Sequence, residues 1–189
     1  MPAPPATTIG AAVRKAGALH AGRTAVIDGD RRITYGRLAS DVGGAAAALV
    51  AHGVGRGDRV AIWAPNSYEW MVTCLATGYM GAVVVPVNTR FRGAEALDIV
   101  SRTRARLLVV HNGFLGTDDA ALLAAAAGEP EPAGTLAHLE HTVDLGAEGG
   151  WATFLAAAGE PERATAERMA DGTGPDDVLD MYRQAGRWD

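Results

Sequence analysis

The sequence predicts an α/β domain: a doubly wound parallel sheet with helices on both faces. Three observations carry this. From Thr34 to Ala127 the hydrophobic pattern runs helix, strand, helix, strand, helix, strand, helix. The strand segments Val60-Ala61-Ile62-Trp63, Val83-Val84-Val85 and Leu107-Leu108-Val109-Val110 are apolar without interruption, as strands covered on both faces must be. The connections are short, which suits parallel strands joined by right-handed helical crossovers.

The elements follow in order. Thr8 is placed to cap a short helix running to His20. Thr24 to Asp28 and Arg32 to Thr34 read as two strands of a hairpin, with Gly29 and Asp30 between them. Val42, Ala45, Ala46, Leu49 and Val50 form one apolar helical stripe, and Gly53 suits a left-handed C-cap after it. Asn66 is placed to cap the next helix, with Glu69 three residues on completing a capping box. Along that helix Trp70, Met71, Cys74, Leu75, Gly78 and Tyr79 fall on one side, and Gly81 stops it. A strand through Pro86, a helix over 94–103, a strand at 107–110 and an alanine-rich helix over 118–127 complete the alternation.

After Gly128 the character changes. Glu129 to Gly134 reads as a surface loop, Leu136 to Leu145 as one strand or two, Gly159 to Gly174 as a polar linker, and Val178 to Tyr182 as the start of a further strand. The expected division is 1–128 as an N-terminal α/β subdomain, 129–182 as a variable segment and linker, and 183–189 as a divergent tail.

Composition excludes several classes. The chain has 189 residues, 48% of them hydrophobic, with apolar runs broken well short of a membrane span. Residues 1–8 show no basic region followed by an apolar block, so no secretory signal is expected and the location is read as cytoplasmic. The net charge of −5 argues against a nucleic-acid surface. Cys74 is the only cysteine, so no intrachain disulfide is possible. Lys15 is the only lysine beside 16 arginines, so lysine chemistry must use it or do without.

Each chemical motif has a plainer reading. Gly53-Val54-Gly55-Arg56-Gly57 follows a helix and precedes a strand, whereas a dinucleotide loop follows a strand and opens a helix. It is a helix-to-strand turn. His138-Leu139-Glu140-His141 has i, i+3 spacing, wrong for a zinc-peptidase helix, and as a strand it would send the two rings to opposite faces. Cys74 reads as a buried thiol on an apolar stripe, and Arg102, Arg104 and Arg106 as a solvated helix end. His20, His52 and His111 lie near element ends, and no Gly-x-Ser-x-Gly elbow exists. No glycine-rich loop follows a strand, so no phosphate cradle is evident. The sequence assigns no catalytic, cofactor-binding or metal residue.

Five stretches together resemble the N-terminal region of the acyl-CoA synthetase, luciferase and peptide-synthetase adenylation superfamily, the AMP-dependent ligases. They are Thr24-Ala25-Val26-Ile27 with Ile33-Thr34-Tyr35-Gly36-Arg37-Leu38; Gly53 through Ile62; Ala64-Pro65-Asn66-Ser67; Gly81 through Arg90; and Glu95 to Leu108. Arg37 departs from the pattern, standing where an acidic residue is usual. The match is good from Gly22 to Val110 and looser to Asp180. The resemblance implies the incomplete N-terminal portion of the adenylating-enzyme large domain, nearest the fatty-acid or medium-chain acyl-CoA ligases. Members activate an acyl substrate with ATP and Mg²⁺ to an acyl-adenylate and pass it to a thiol, often CoA. Their Ser/Thr/Gly-rich loop ending in Lys follows a segment like Pro175 to Tyr182; here Arg183 to Asp189 stands in its place.

The expectation is a truncated or frame-disrupted ligase, inactive alone and binding no cofactor itself. Self-association, or pairing with a missing segment, is the expected partnership. The alternative is a non-catalytic module that pairs with a separate chain. An unrelated nucleotide-binding enzyme is disfavoured by the misplaced glycines.

Overall fold

The computed structural model describes residues 7–181, so Tyr182 and the tail 183–189 lie outside the described residues. In chain order it has α1 (Ile9–Leu19), β1 (Thr24–Asp28), β2 (Arg31–Thr34), α2 (Tyr35–Ala51), β3 (Arg59–Trp63), α3 (Tyr68–Tyr79), β4 (Val83–Pro86), α4 (Gly93–Thr103), β5 (Leu107–Val110), α5 (Asp119–Ala127), β6 (His141–Asp144), α6 (Gly150–Ala156) and α7 (Glu160–Asp171).

β1 and β2 form an antiparallel hairpin turning at Gly29, whose φ is 57°. The main sheet is parallel throughout, in the order β4-β3-β5-β6. Residues alternate faces along each strand. Val60, Ile62, Val84, Leu107, Val109 and Val143 join one buried layer with α2 and α3. Ala61, Trp63, Val85, Leu108 and Val110 join a second layer with α4 and Leu123 of α5. The two layers are the physical content of the uninterrupted apolar strands.

The α2 stripe lies as expected: Val42, Ala45, Ala46 and Leu49 are buried, with Val50 packed at the margin. Thr34 Oγ1 accepts the Arg37 N–H at the start of α2, and Gly53 follows its end with φ of 76°. Arg59, the first residue of β3, reaches the last turn of α4. Its guanidinium donates to Thr103 O at 2.6 Å and Arg104 O at 2.7 Å, satisfying carbonyls the helix cannot, and to Gly57 O at 3.0 Å in the turn before β3.

Four expectations change. Ser67, not Asn66, caps α3, its Oγ accepting the Trp70 N–H at 3.1 Å. Glu69 pairs with Arg31, at 2.8 Å, instead of forming a capping box with Asn66. Gly78 and Tyr79 of the expected face of α3 are buried, but they are joined by Val72, Thr73, Ala76 and Thr77, while Trp70, Met71, Cys74 and Leu75 are half-covered. Thr73 and Thr77 enter the core because their hydroxyls donate to the carbonyls of Glu69 and Thr73, one turn back. The stretch read as a polar linker, 159–174, is largely α7. It packs on α2 through Ala166 and Ala170, and Glu167 accepts the Tyr79 hydroxyl at 2.7 Å.

The start of a strand near 178 reduces to one parallel bridge, Asp180 to Val84, at the outer edge of β4. Val84 N–H donates to Leu179 O at 3.0 Å and Met181 N–H to Val84 O at 2.9 Å. Arg56 secures this strap at Gly172 O and at the Asp177 carboxylate. The Asp177 carboxyl is held below its usual range by the Gly174 N–H and then by Arg56.

A candidate binding cleft at the carboxyl ends of the strands

The chain leaves β3 toward α3 on one face of the sheet, and leaves β4 and β5 toward α4 and α5 on the other. Neighbouring strands whose exits diverge open a crevice at their carboxyl ends. A cleft of about 520 Å³ lies there. Ala64, Pro65 and Asn66 after β3, and Pro86 at the end of β4 with Val87 and Asn88 after it, form its floor. Trp70 of α3, Ile99 of α4, Phe91 and Phe114 wall it. The amides of Asn66 and Asn88, the Thr89 hydroxyl and backbone make close to half of its surface polar, the rest is apolar, and no charged side chain is part of it.

Each wall is fixed locally. Val87 N–H donates to Ile62 O at 2.9 Å, carrying the β3–β4 ladder past Pro86. Asn88 then turns the chain: its Oδ1 accepts the Arg90 N–H at 2.9 Å and its carbonyl the Phe91 N–H at 3.0 Å. Glu95 accepts the Arg92 N–H at 2.9 Å and starts α4.

The corner at Ser67 is held from below by charge. Arg31 joins Asp28 and Glu69, and Asp28 accepts the Tyr68 N–H at 3.3 Å. The Tyr68 hydroxyl donates to Asp41 at 2.8 Å, and Arg37 reaches the same carboxylate at 2.8 Å. Burial and then Asp41 push the Tyr68 phenol up. Burial pushes the Glu69 carboxyl up, yet Arg31 and neighbouring donors leave it below its usual range.

The motifs singled out in the sequence stay apart from this cleft. Gly53 to Gly57 is a helix-to-strand turn at the amino end of β3, with Asp58 accepting the Gly55 N–H at 2.8 Å. His138 lies in a turn and His141 opens β6, its ring edge-on to His52 at 5.5 Å. Among the described residues no three His, Cys, Asp or Glu side chains cluster as metal ligands do. Cys74 is half-buried and burial pushes its thiol up. Lys15 is exposed on α1. Arg102 pairs with Asp98, Arg104 takes a left-handed cap conformation, and Arg106 bridges Asp58 and Glu140. The three arginines therefore serve the fold.

Two features escaped the sequence reading. Asp119 is 4% exposed at the start of α5, and burial pushes its carboxyl above the usual range. The cleft itself is built of proline, asparagine and aromatic residues at strand ends, and only knowledge of strand order brings them together.

Comparison with known proteins places the chain. The model of the AMP-binding enzyme family matches residues 13–180. A Rhodococcus jostii CoA ligase, named for a propanoyl group bearing a methyl-dioxo-octahydroindenyl ring system, is 40% identical over 95% of this chain and 35% of its own length. The ligase of the same name from Mycobacterium tuberculosis is 44% identical over 86% of this chain and 31% of its own length. The chain thus spans about a third of the curated relatives it matches. The N-terminal domain of FACL13 from M. tuberculosis superposes with a TM-score of 0.75 at 25% identity, covering 92% of this chain and 41% of that one. A fatty acyl CoA synthetase from M. tuberculosis matches in fold, with a TM-score of 0.77 at 24% identity over 94% of this chain and 32% of that one. With its family match, its parallel sheet and these ligase relatives, the chain belongs to the AMP-binding enzyme family.

Proposed function

We propose that this chain supplies the N-terminal α/β part of an acyl-CoA ligase, an enzyme that joins a carboxylic acid to CoA through an acyl-adenylate at the expense of ATP. The carrying observation is the family match across residues 13–180 on a parallel sheet with an open carboxyl-end cleft. In this reading 1–128 is the α/β subdomain and 129–182 is the variable segment leading toward the phosphate loop. The two relatives that share most of this chain favour a ring-bearing propanoate over a linear fatty acid as the acyl substrate. ATP, Mg²⁺ and CoA are the whole enzyme's cofactors, and a cytoplasmic location belongs to the same reading. No described helix is long and apolar enough to cross a membrane.

The chemistry needs a Ser/Thr/Gly-rich loop with lysine. Residues 1–189 hold no such loop, and Lys15 lies on α1. The purified chain is therefore expected to give no ATP–pyrophosphate exchange with carboxylic acids. Measurable exchange, lost on heat denaturation, would overturn this.

A second reading, a non-catalytic partner of a separate chain, draws support from one surface. Trp70, Met71, Cys74 and Leu75 lie half-covered on α3, and Leu179, 44% exposed, lies against the same helix at Gly78. Co-purification with a chain carrying the phosphate loop, with activity restored, would favour this reading.

A further inference from the structure

The segment between β5 and α5 does more than connect them. Phe114 is a wall of the carboxyl-end cleft. Leu115, next to it, is 72% exposed and holds a left-handed φ of 54°. A leucine rarely takes that conformation. Gly113 and Gly116 flank it with φ of 87° and 74°, and a Cβ added to either would meet nothing within 4 Å.

The backbone N–H groups of Gly113, Phe114 and Gly116 bond only within residues 111–117: to Thr117 O at 2.7 Å, His111 O at 3.3 Å and Gly113 O at 3.1 Å. The tip is thus a closed unit. Its base is pinned, with the Asn112 N–H on Asp144 Oδ1 at 3.0 Å and the Ala120 N–H on Asn112 Oδ1 at 3.3 Å. Open glycine positions lie between a fixed base and an exposed apolar tip. Phe114, the residue before that tip, lines the cleft together with Trp70 and Phe91, and no charged side chain lines it.

We propose that residues 111–118 form a flap over this cleft, and that Leu115 closes onto a neutral, ring-bearing apolar ligand held between Trp70, Phe91 and Phe114. The Asn66 and Asn88 amides offer the ligand's carbonyl or hydroxyl groups hydrogen bonds. Closure moves Leu115 from water onto the ligand and releases its left-handed backbone. The inference goes beyond the ligase assignment and does not depend on it.

The test uses the chain of 189 residues and prodan, a neutral naphthalene ketone whose emission shifts to the blue in apolar surroundings. Saturable binding with quenching of Trp70 is expected. Trp70→Phe should lose that quenching and weaken the blue shift, since it trims one wall of the cleft. Leu115→Asn tolerates the left-handed backbone at an exposed position, so its circular dichroism should match the parent's. Its affinity for prodan should fall about tenfold, the scale set by losing most of a leucine's burial. Chymotrypsin should cut at Phe114 or Leu115 in the free chain and more slowly with prodan present. Failure to bind prodan, parental affinity in Leu115→Asn, quenching that survives Trp70→Phe, or cleavage unaffected by prodan would each overturn the proposal. None of these readouts involves ATP, CoA or a carboxylate, so they leave the ligase assignment to its own assay.

Discussion

Gly93 is where the second helical layer meets the tightest packing limit, and replacing it with alanine tests that layer directly. Gly93 is the buried first residue of α4. A Cβ there would lie 2.2 Å from the Leu122 carbonyl oxygen of α5 and 3.2 Å from Ala126 Cβ, where real Cβ contacts stay beyond 3.0 Å. The obstacle is helical backbone, so no side-chain rotation relieves it. The helices must part by roughly 0.8 Å, and a gap of that size forfeits a quarter to a half of the dispersion energy along the seam. Overpacking of this kind costs about 1–3 kcal/mol. Alanine's better helix propensity returns up to about 1 kcal/mol. The net loss should be about 1.5 kcal/mol, or a fall of roughly 3–6 °C in Tm for a domain of this size. Thermal and urea melts followed by circular dichroism measure it, with an unchanged m-value showing that the two-state comparison is sound. A Gly93→Ala chain as stable as its parent would refute the close α4–α5 approach.

Two further outcomes follow from buried titratable groups. Burial raises the Asp119 carboxyl, against the opposing Thr117 hydroxyl, so the folded state holds this proton more tightly than the unfolded chain. Its contribution to stability therefore rises as pH falls through the folded value toward the usual carboxylate range. Asp119→Asn should then be at least as stable as the parent at pH 7, with its advantage shrinking toward about pH 4; urea melts across that range would refute the assignment if the advantage grew instead. Cys74 should alkylate with iodoacetamide at pH 8 at least about tenfold more slowly than a free thiol, because burial raises its pKa, and urea should restore the free rate. An undiminished rate in the folded chain would mean that this side of α3 is open.

Much of the architecture was legible, because apolar runs and stripes are direct consequences of burial. The continuous run at Val60 to Trp63 announced a strand covered on both faces, and the α2 stripe announced its buried side. Helix α7 was hidden because its buried contacts are alanines. Ala166 and Ala170 pack closely yet give almost no hydrophobic signal among the charges of Glu160 to Asp171. The surviving signals were local: Pro161 in the first turn, and Glu162 placed to accept the Gly159 N–H. The α3 face was read only in part, through Gly78 and Tyr79, for the converse reason. Threonines look polar in sequence, but their hydroxyls are satisfied within the helix. The cleft was not legible, because its walls lie on elements far apart in sequence that only the strand order brings together. The family resemblance supplied what the residues alone did not.

The strand order also bears on how the chain reaches this state. β3, α3 and β4 are consecutive, so that half of the sheet closes through a single helical crossover. The connection from β4 must cross over β3 before Val60 pairs with Leu107, and β6 can dock only after that. Longer closures lose more chain entropy before any contact repays it. The β3–α3–β4 unit is therefore the natural nucleus, and the β5–β6 edge the last to set. On a growing chain the first unit would be complete before β5 had been synthesised.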